Sequence, residues 1–281
     1  MSFDEFDRER AIIIELDRVG RVVVADLAHR FSVSAVTIRK DLDALERRSM
    51  LRRVRGGAVP TGVSDEGAFE MRLRHSARAK RAIARAVAAE VSNGDVIAMD
   101  SSTTCWYLAH EILDRRNLIV VTNGLRTAEL LMEQSSAMVL MPGGVLRRSA
   151  ASMVGPIGDV LAGRGRIDKG FFGLIGLSVS HGLLDIVVEE AQTKAFIARS
   201  CNEVYGLFDS SKVDRFGLHS FAATDTITGL FTDDAFNAEQ TAQWTAAGVD
   251  VHRVSVDHDA DGADLPEYRR TGSSHPSQRG A

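Results

Sequence analysis

Cysteine is nearly absent from the 281 residues: Cys105 and Cys201 stand far apart, with no histidine cluster beside either. That excludes a disulfide framework and a zinc site. Both thiols are expected to be reduced and partly buried, which suits a cytoplasmic protein. No apolar run approaches the roughly 20 residues that a membrane span requires. The acidic, amphipathic N-terminus does not have the pattern of a signal peptide. No repeat period is visible, and nothing calls for a metal, a cofactor or a membrane partner. A broad positive surface is missing too: 34 Lys and Arg against 38 Asp and Glu leave −4, and the region beyond Thr61 alone sums to −6. This argues against a protein that coats DNA without reading it.

What is present begins with Asp26 to Leu45, DLAHRFSVSAVTIRKDLDAL. Leu27, Ala28 and Phe31 share one face of a short helix, Ser32-Val33-Ser34 makes a turn, and Ala35, Ile38, Leu42 and Leu45 recur at helical spacing. Ser34 is placed to cap the second helix. With Ile38 pointing inward, Val36, Thr37, Arg39, Lys40 and Asp43 fall on the flanks and the outer side. Such a helix reads a DNA major groove. Val36, Thr37 and Arg39, near its N-terminus, are expected to contact bases, and Lys40 the backbone.

The segment Leu51-Arg52-Arg53-Val54-Arg55-Gly56-Gly57-Ala58 alternates apolar and basic residues before turning at Gly-Gly, as a β-hairpin wing does. Its arginines, Arg52, Arg53 and Arg55, are expected to reach phosphate. From Arg21 to Pro60 nine basic residues face four acidic ones, a local +5. The helix Phe3 to Val19 and a short strand Val22 to Val24, able to pair with the wing, complete a winged helix-turn-helix. The DNA-contacting set is then Ser34, Val36, Thr37, Arg39, Lys40, Arg52, Arg53 and Arg55, and the expected partner is double-stranded operator DNA.

A winged helix needs about 60 residues, so the rest fits a second domain. Expected boundaries are 1–59 for the DNA-binding domain, 60–75 for a linker rich in Pro, Gly and Ser, 76–256 for the second domain and 257–281 for a disordered tail. In the second domain, continuous apolar strands alternate with helices. Strands are expected at Val96 to Asp100, Leu118 to Thr122, Ala137 to Met141, Lys169 to Gly176, Glu203 to Asp209, Ile227 to Thr232 and Val249 to Val254. The fold class is α/β, with a parallel sheet.

Open parallel sheets bind ligands at the carboxyl ends of their strands. Those ends carry Asp100-Ser101-Ser102-Thr103-Thr104, Thr122-Asn123-Gly124, Pro142-Gly143-Gly144 and Asp209-Ser210-Ser211-Lys212. Hydroxyls, free amides and a helix N-terminus suit a phosphate. The plainer reading makes Ser102 and Thr103 a helix cap and Gly143-Gly144 a turn.

With VSAVTIRKDL, RRVRGGA, DSSTT, TNG, GG and DSSK in this order, the chain resembles the DeoR-type bacterial transcriptional repressors from about Arg8 to Val254. The resemblance implies a repressor whose second domain is similar to sugar-phosphate isomerases and binds a phosphorylated sugar effector. It also implies that the effector site comprises Asp100, Ser102, Thr103, Thr104, Asn123, Gly143, Gly144, Lys194, Asp209 and Lys212. Two departures from the family pattern stand out. Ser102 replaces a glycine, and Leu184 stands where threonine is common, which removes one polar contact at the sugar end. A homo-oligomer, dimer or tetramer, is expected from the motif's use on symmetric sites.

Two alternatives remain. Glu190 and Lys194 lie four apart on a helix expected at Glu189 to Cys201, and their plain reading is a surface pair worth about 0.3 kcal/mol. An active isomerase with a DNA-binding appendage would take its carboxylate base and its cation from Asp100, Glu190, Lys194 or Asp209. His181 and His219 have no partner pattern and read as loop histidines.

Overall fold

The computed structural model describes residues 5–19, 21–47, 50–59, 65–148, 150–155, 166–213, 215 and 217–256. In the first domain α1 (Glu5–Val19), α2 (Val24–Phe31) and α3 (Ala35–Arg47) enclose Ile12, Leu16, Leu27, Phe31, Ile38, Leu42 and Leu45. The expected strand at Val22–Val24 is shorter. β1 is Val22–Val23, and Val24 opens α2, where it is buried with Leu27 and Phe31 on the helix's inner face. β1 pairs antiparallel with β3 (Gly57–Val59), and β3 with β2 (Arg52–Val54). A side chain at Gly57 would stand 1.9 Å from the Val22 carbonyl oxygen, so the wing closes only on glycine there. A buried ion pair joins α1 to the inner side of α3: Arg8 Nε and Nη2 donate to Asp41 Oδ2 and Oδ1 at 2.5 and 2.9 Å.

Part of the expected linker is helical. Residues 60–64 lie outside the described residues, but α4 (Asp65–Arg74) buries Phe69 and Leu73 in the second domain's core. These two, four apart on one helix face, outweigh the Gly and Ser that precede them. The tail expected at 257–281 also lies outside the described residues.

The second domain is built on seven parallel strands: β4 (Val96–Met99), β5 (Ile119–Thr122), β6 (Met138–Leu140), β9 (Ile167–Gly173), β12 (Cys201–Leu207), β14 (Gly229–Asp233) and β15 (Asp250–Val254). Their order is β15-β14-β12-β9-β4-β5-β6. Ile97, Met99, Phe171, Tyr205 and Phe231 point to one face, and Ala98, Phe172, Val204 and Leu230 to the other. A period of two with both sides apolar is what a sheet covered on both faces requires. The first face is covered by α4, α5 (Ala77–Ala88), α6 (Thr103–Glu111) and α7 (Leu125–Gln134). The second is covered by α8 (Val188–Arg199) and α9 (Ala238–Ala246).

Three features were not assigned from the sequence. They are α9, the hairpin β7 (Val145–Arg147) and β8 (Ser152–Val154), and a small antiparallel sheet of β10 (Gly176–Ser178), β11 (Gly182–Asp185) and β13 (His219–Ala222). Strands of three or four residues are too short to display an alternation. His219 therefore lies in a strand, while His181 occupies the β10–β11 turn.

The strand order locates the site. The chain runs from β4 outward through β5 and β6, returns to β9 on the other side of β4, and proceeds outward through β12, β14 and β15. The direction reverses between β4 and β9, so a crevice opens at their carboxyl ends. Asp100 and Gly173 are found there. Among the described residues no helix is long and apolar enough to cross a membrane. Cys105 and Cys201 are buried free thiols.

Candidate functional site

The first domain presents α3 as expected. Ser34 Oγ accepts from the Thr37 amide at 3.0 Å and lies 2.8 Å from the Thr37 hydroxyl, so the cap and the third residue of the helix are joined. Val36, Arg39 and Lys40 are exposed on α3, as are Arg52 and Arg55 on the wing. Arg53 is placed differently. It turns back onto α3, with Nη1 3.4 Å from both Asp43 Oδ1 and the Arg39 carbonyl, and its amide donates to Glu46 Oε1 at 2.7 Å. The acidic outer residues of α3 draw it there, and it fixes the wing to the helix.

In the second domain the crevice between β4 and β9 holds a buried ionic cluster. Asp100 Oδ1 accepts from the Ser102 amide at 3.0 Å; its Oδ2 accepts from the Gly173 amide at 3.0 Å and from Lys194 Nζ at 2.9 Å. Lys194 also donates to Asp185 Oδ2 at 2.8 Å and to the Gly173 carbonyl at 2.9 Å. Burial alone would raise the Asp100 pKa, but Lys194 and the Ser102 hydrogen bonds outweigh it and hold the carboxyl below its ordinary value. Burial likewise works against the Lys194 charge, and Asp100 with Asp185 overcomes it, so this ammonium titrates above the ordinary lysine range.

This changes the reading of Lys194. An ammonium has three N–H donors, and all three are taken by protein acceptors. Lys194 therefore shapes the loop instead of presenting a donor to a ligand. It does not pair with Glu190 on a solvated face either, since both side chains are buried. Glu190 Oε1 accepts from Arg147 Nη1 at 2.9 Å and from the Ser152 hydroxyl, and its Oε2 accepts from Asn123 Nδ2 at 3.4 Å. The Asn123 side-chain oxygen is buried with no hydrogen-bond partner among the described residues.

Ser102 caps α6, accepting from the Cys105 amide at 3.2 Å. Its side chain rests against the Gly173 backbone, where any Cβ would meet Ser102 Cβ at 2.3 Å. The Ser102 hydroxyl is thus committed to the helix cap. Thr103 and Thr104, both buried, supply the amides of the first turn of α6, which have no intrahelical acceptor. Gly143 and Gly144 are exposed, and Gly144 packs on the Val154 carbonyl at the base of the β7–β8 hairpin. Among the described contacts none links them to Asp100, Glu190 or Asp209. They act as a turn that brings Arg147 and Ser152 to Glu190.

Asp209 follows β12 and accepts from the Ser211 amide at 3.2 Å. Around it lies a corner of cations of which the sequence singled out Lys212 alone. Burial pushes both Lys80 and Lys212 down to about 8; Asp209 opposes this, while Arg72 and Arg215 add to it for both, as Lys212 does for Lys80 and Lys194 for Lys212. Burial also lowers the pKa of Arg72 and His75. Against its own burial Asp209 is held below the ordinary carboxylate range by Ser211, Lys212 and Lys80. Lys80 had a sequence signal: it lies three, four and seven residues before Ile83, Ala84 and Val87, on the apolar stripe of α5. A lysine on a buried stripe needs an acceptor. Asp185 had one as well, since it ends a strand. Among the described residues no group of His, Cys, Asp and Glu side chains could hold a metal ion.

Comparisons with known proteins agree with this division. The model of the DeoR C-terminal sensor domain matches residues 75–234, and that of the DeoR-like helix-turn-helix domain matches residues 8–61. The HTH-type transcriptional regulator GolR of Listeria innocua is 31% identical over 88% of this chain and 97% of its own length. The glycerol-3-phosphate regulon repressor of Escherichia coli K12 is 30% identical over 80% of this chain and 90% of its own. Among solved structures, a ribose 5-phosphate isomerase of Methanocaldococcus jannaschii overlaps 48% of this chain and 53% of its own, with 15% identity and a TM-score of 0.36.

Proposed function

The chain belongs to the DeoR family of transcriptional regulators, and from that premise we propose that it represses a carbohydrate-metabolism operon and leaves its operator when a phosphorylated sugar binds the second domain. The observation that carries this reading is the corner of buried cations beside Asp209 at the carboxyl edge of the sheet. Lys80 and Lys212 are buried beside Asp209, and Arg72 and Arg215 lie close enough to act on both lysines. A phosphate monoester dianion there would favour the charged forms of both lysines. The first-turn amides of α6 supply neutral donors beside it. In this reading Thr103, Thr104, Asn123, Asp209 and Lys212 form the effector site, Lys80 and Arg72 join it, and Asp100, Ser102 and Lys194 support it.

Two of the carboxylates an isomerase could use, Asp100 and Glu190, are held away from such chemistry. Enediol chemistry needs a carboxylate able to take a proton from a sugar carbon. Asp100 is fully enclosed, with both oxygens engaged, and Glu190 is held by Arg147, Ser152 and Asn123.

Two tests bear on the sensor. A thermal-shift screen of glycerol 3-phosphate, triose, pentose and hexose phosphates should find a compound that raises the melting temperature, because a ligand of the native state stabilises it by mass action. The affinity of that compound should depend on pH with a definite sign. A bound anion favours the charged forms of Lys80 and Lys212, so binding is strong below about 8 and weakens as pH rises through that value. Calorimetry at pH 7.5 and 9 should register a loss of roughly tenfold or more; equal affinities would remove the two lysines from the site.

On the DNA side we propose that a dimer or tetramer places two winged helices on paired half-sites, with Val36, Thr37 and Arg39 reading bases and Lys40, Arg52 and Arg55 holding phosphates. Replacing Arg39 by Ala should cost about 1–3 kcal/mol at the preferred operator and far less at variants of the base it reads. Anisotropy titrations across single-base operator variants would show this, and a uniform loss at every variant would assign Arg39 to the backbone.

A further inference from the structure

The last turn of α4 is held by side chains of the second domain. Lys80 Nζ donates to the carbonyls of Arg72 and His75 at 2.5 and 2.7 Å, and the Tyr107 hydroxyl donates to the Leu73 carbonyl at 3.0 Å. These carbonyls lie at the end of a helix, where intrahelical donors run out. One turn earlier Phe69 stands edge-on to Trp106, with ring centroids 6.4 Å apart, and the Arg72 guanidinium lies over Phe69. Arg72 Nη2 reaches the Ala150 carbonyl, beside the hairpin that carries Arg147. The same helix follows the wing in sequence, separated from Val59 by residues 60–64 alone.

We infer that α4 is the element through which effector occupancy reaches the DNA-binding domain, because Lys80 is shared between the effector's phosphate and the carbonyls that end this helix. This rests on reading the cation corner as the phosphate site. Two of the three Lys80 donors are spent on α4, which leaves one for an anion. A phosphate at that donor keeps Lys80 fully charged, and charge-assisted bonds to the helix end tighten with it. Where Lys80 titrates near 8, part of the population lacks that charge when the corner holds no anion. Occupancy therefore fastens the last turn of α4. The DNA-binding domain has a second footing on this one: Ile186 packs against its core, and the Ile186 amide donates to Asp185 Oδ1 at 2.7 Å. With Ile186 as one point of attachment and α4 as the other, tightening α4 changes the orientation of the winged helix.

Hydrogen–deuterium exchange on the full chain tests this, with glucose 6-phosphate, ribose 5-phosphate, dihydroxyacetone phosphate and inorganic phosphate as probes. A probe that raises the melting temperature is expected to slow exchange of the Leu73 to Ser76 amides at least threefold. A probe that raises the melting temperature and leaves those amides unchanged would overturn the inference while the sensor reading stands. If no phosphate compound shifts the melting temperature, the sensor reading fails and this inference falls with it. In Lys80→Gln the same amides should exchange rapidly with or without probe, and probe affinity should fall tenfold or more. Affinity within twofold of wild type would mean that Lys80 only braces the helix.

Discussion

Lys194→Met is expected to destabilise the second domain by about 3–5 kcal/mol, because it leaves Asp100 and Asp185 buried without their shared counter-charge. The side chains are close to isosteric, so little of this loss comes from packing. What is lost is three charge-assisted hydrogen bonds, to Asp100, Asp185 and the Gly173 carbonyl, and two carboxylates are then left facing each other. The pH dependence identifies the cause. In the wild type Asp100 is held below its ordinary value, so its contribution is present above about 4 and lost as pH falls through the lower folded value. In Lys194→Met the two carboxyls repel, at least one titrates higher in the folded state than in the unfolded state, and acid stabilises the variant. Urea unfolding should therefore show a smaller deficit at pH 5 than at pH 7.5. A deficit that does not change with pH would mean that the ionic cluster is not what Lys194 supports.

Asp41→Ala should abolish operator binding and leave the second domain intact. Asp41 faces inward from the recognition helix and takes two hydrogen bonds from buried Arg8 on α1. Its removal takes two charge-assisted hydrogen bonds from a buried guanidinium in a domain of about 60 residues, which has little stability to spare. A loss of about 3–5 kcal/mol there is enough to unfold most of the module. Operator affinity measured by anisotropy is expected to fall at least a hundredfold, while the thermal shift produced by sugar phosphates on the second domain persists. The double variant Arg8→Met with Asp41→Leu should recover much of the binding, since an apolar pair does not carry the desolvation cost. Affinity within threefold of wild type in Asp41→Ala would show that the pair does not hold α3 in place.

The parts legible in the sequence were those with local signals. The period of Ile38, Leu42 and Leu45 gave α3, and Arg-Gly-Gly gave the wing. The apolar runs gave the parallel sheet, and with it the edge where Asp100, Asn123 and Asp209 lie. What could not be read depended on partners far away in the chain. Glu190 and Lys194 look like a helical surface pair because they are four apart, but Glu190 is claimed by groups 38 to 67 residues away and Lys194 by groups 9 to 94 residues away, among them Ser152 and Asp100. Arg53 has the pattern of a phosphate contact, and the acidic residues of α3 turn it inward. Gly143 and Gly144 satisfy the strand-end rule yet serve the hairpin. Lys80 sat in a basic helix where its place on the apolar stripe was the single hint. Short strands such as β10 and β13 carry too few residues to announce themselves.

The central claim is that one ligand couples the two domains, and operator binding measured with and without that ligand tests it most directly. The DNA upstream of the protein's own gene serves as the operator, and the sugar phosphate selected by thermal shift serves as the effector. A coupling of about 1–3 kcal/mol predicts that the effector weakens operator affinity 5- to 150-fold, and that operator DNA weakens effector binding by the same factor. A sugar phosphate that raises the melting temperature and leaves operator affinity unchanged would contradict the account.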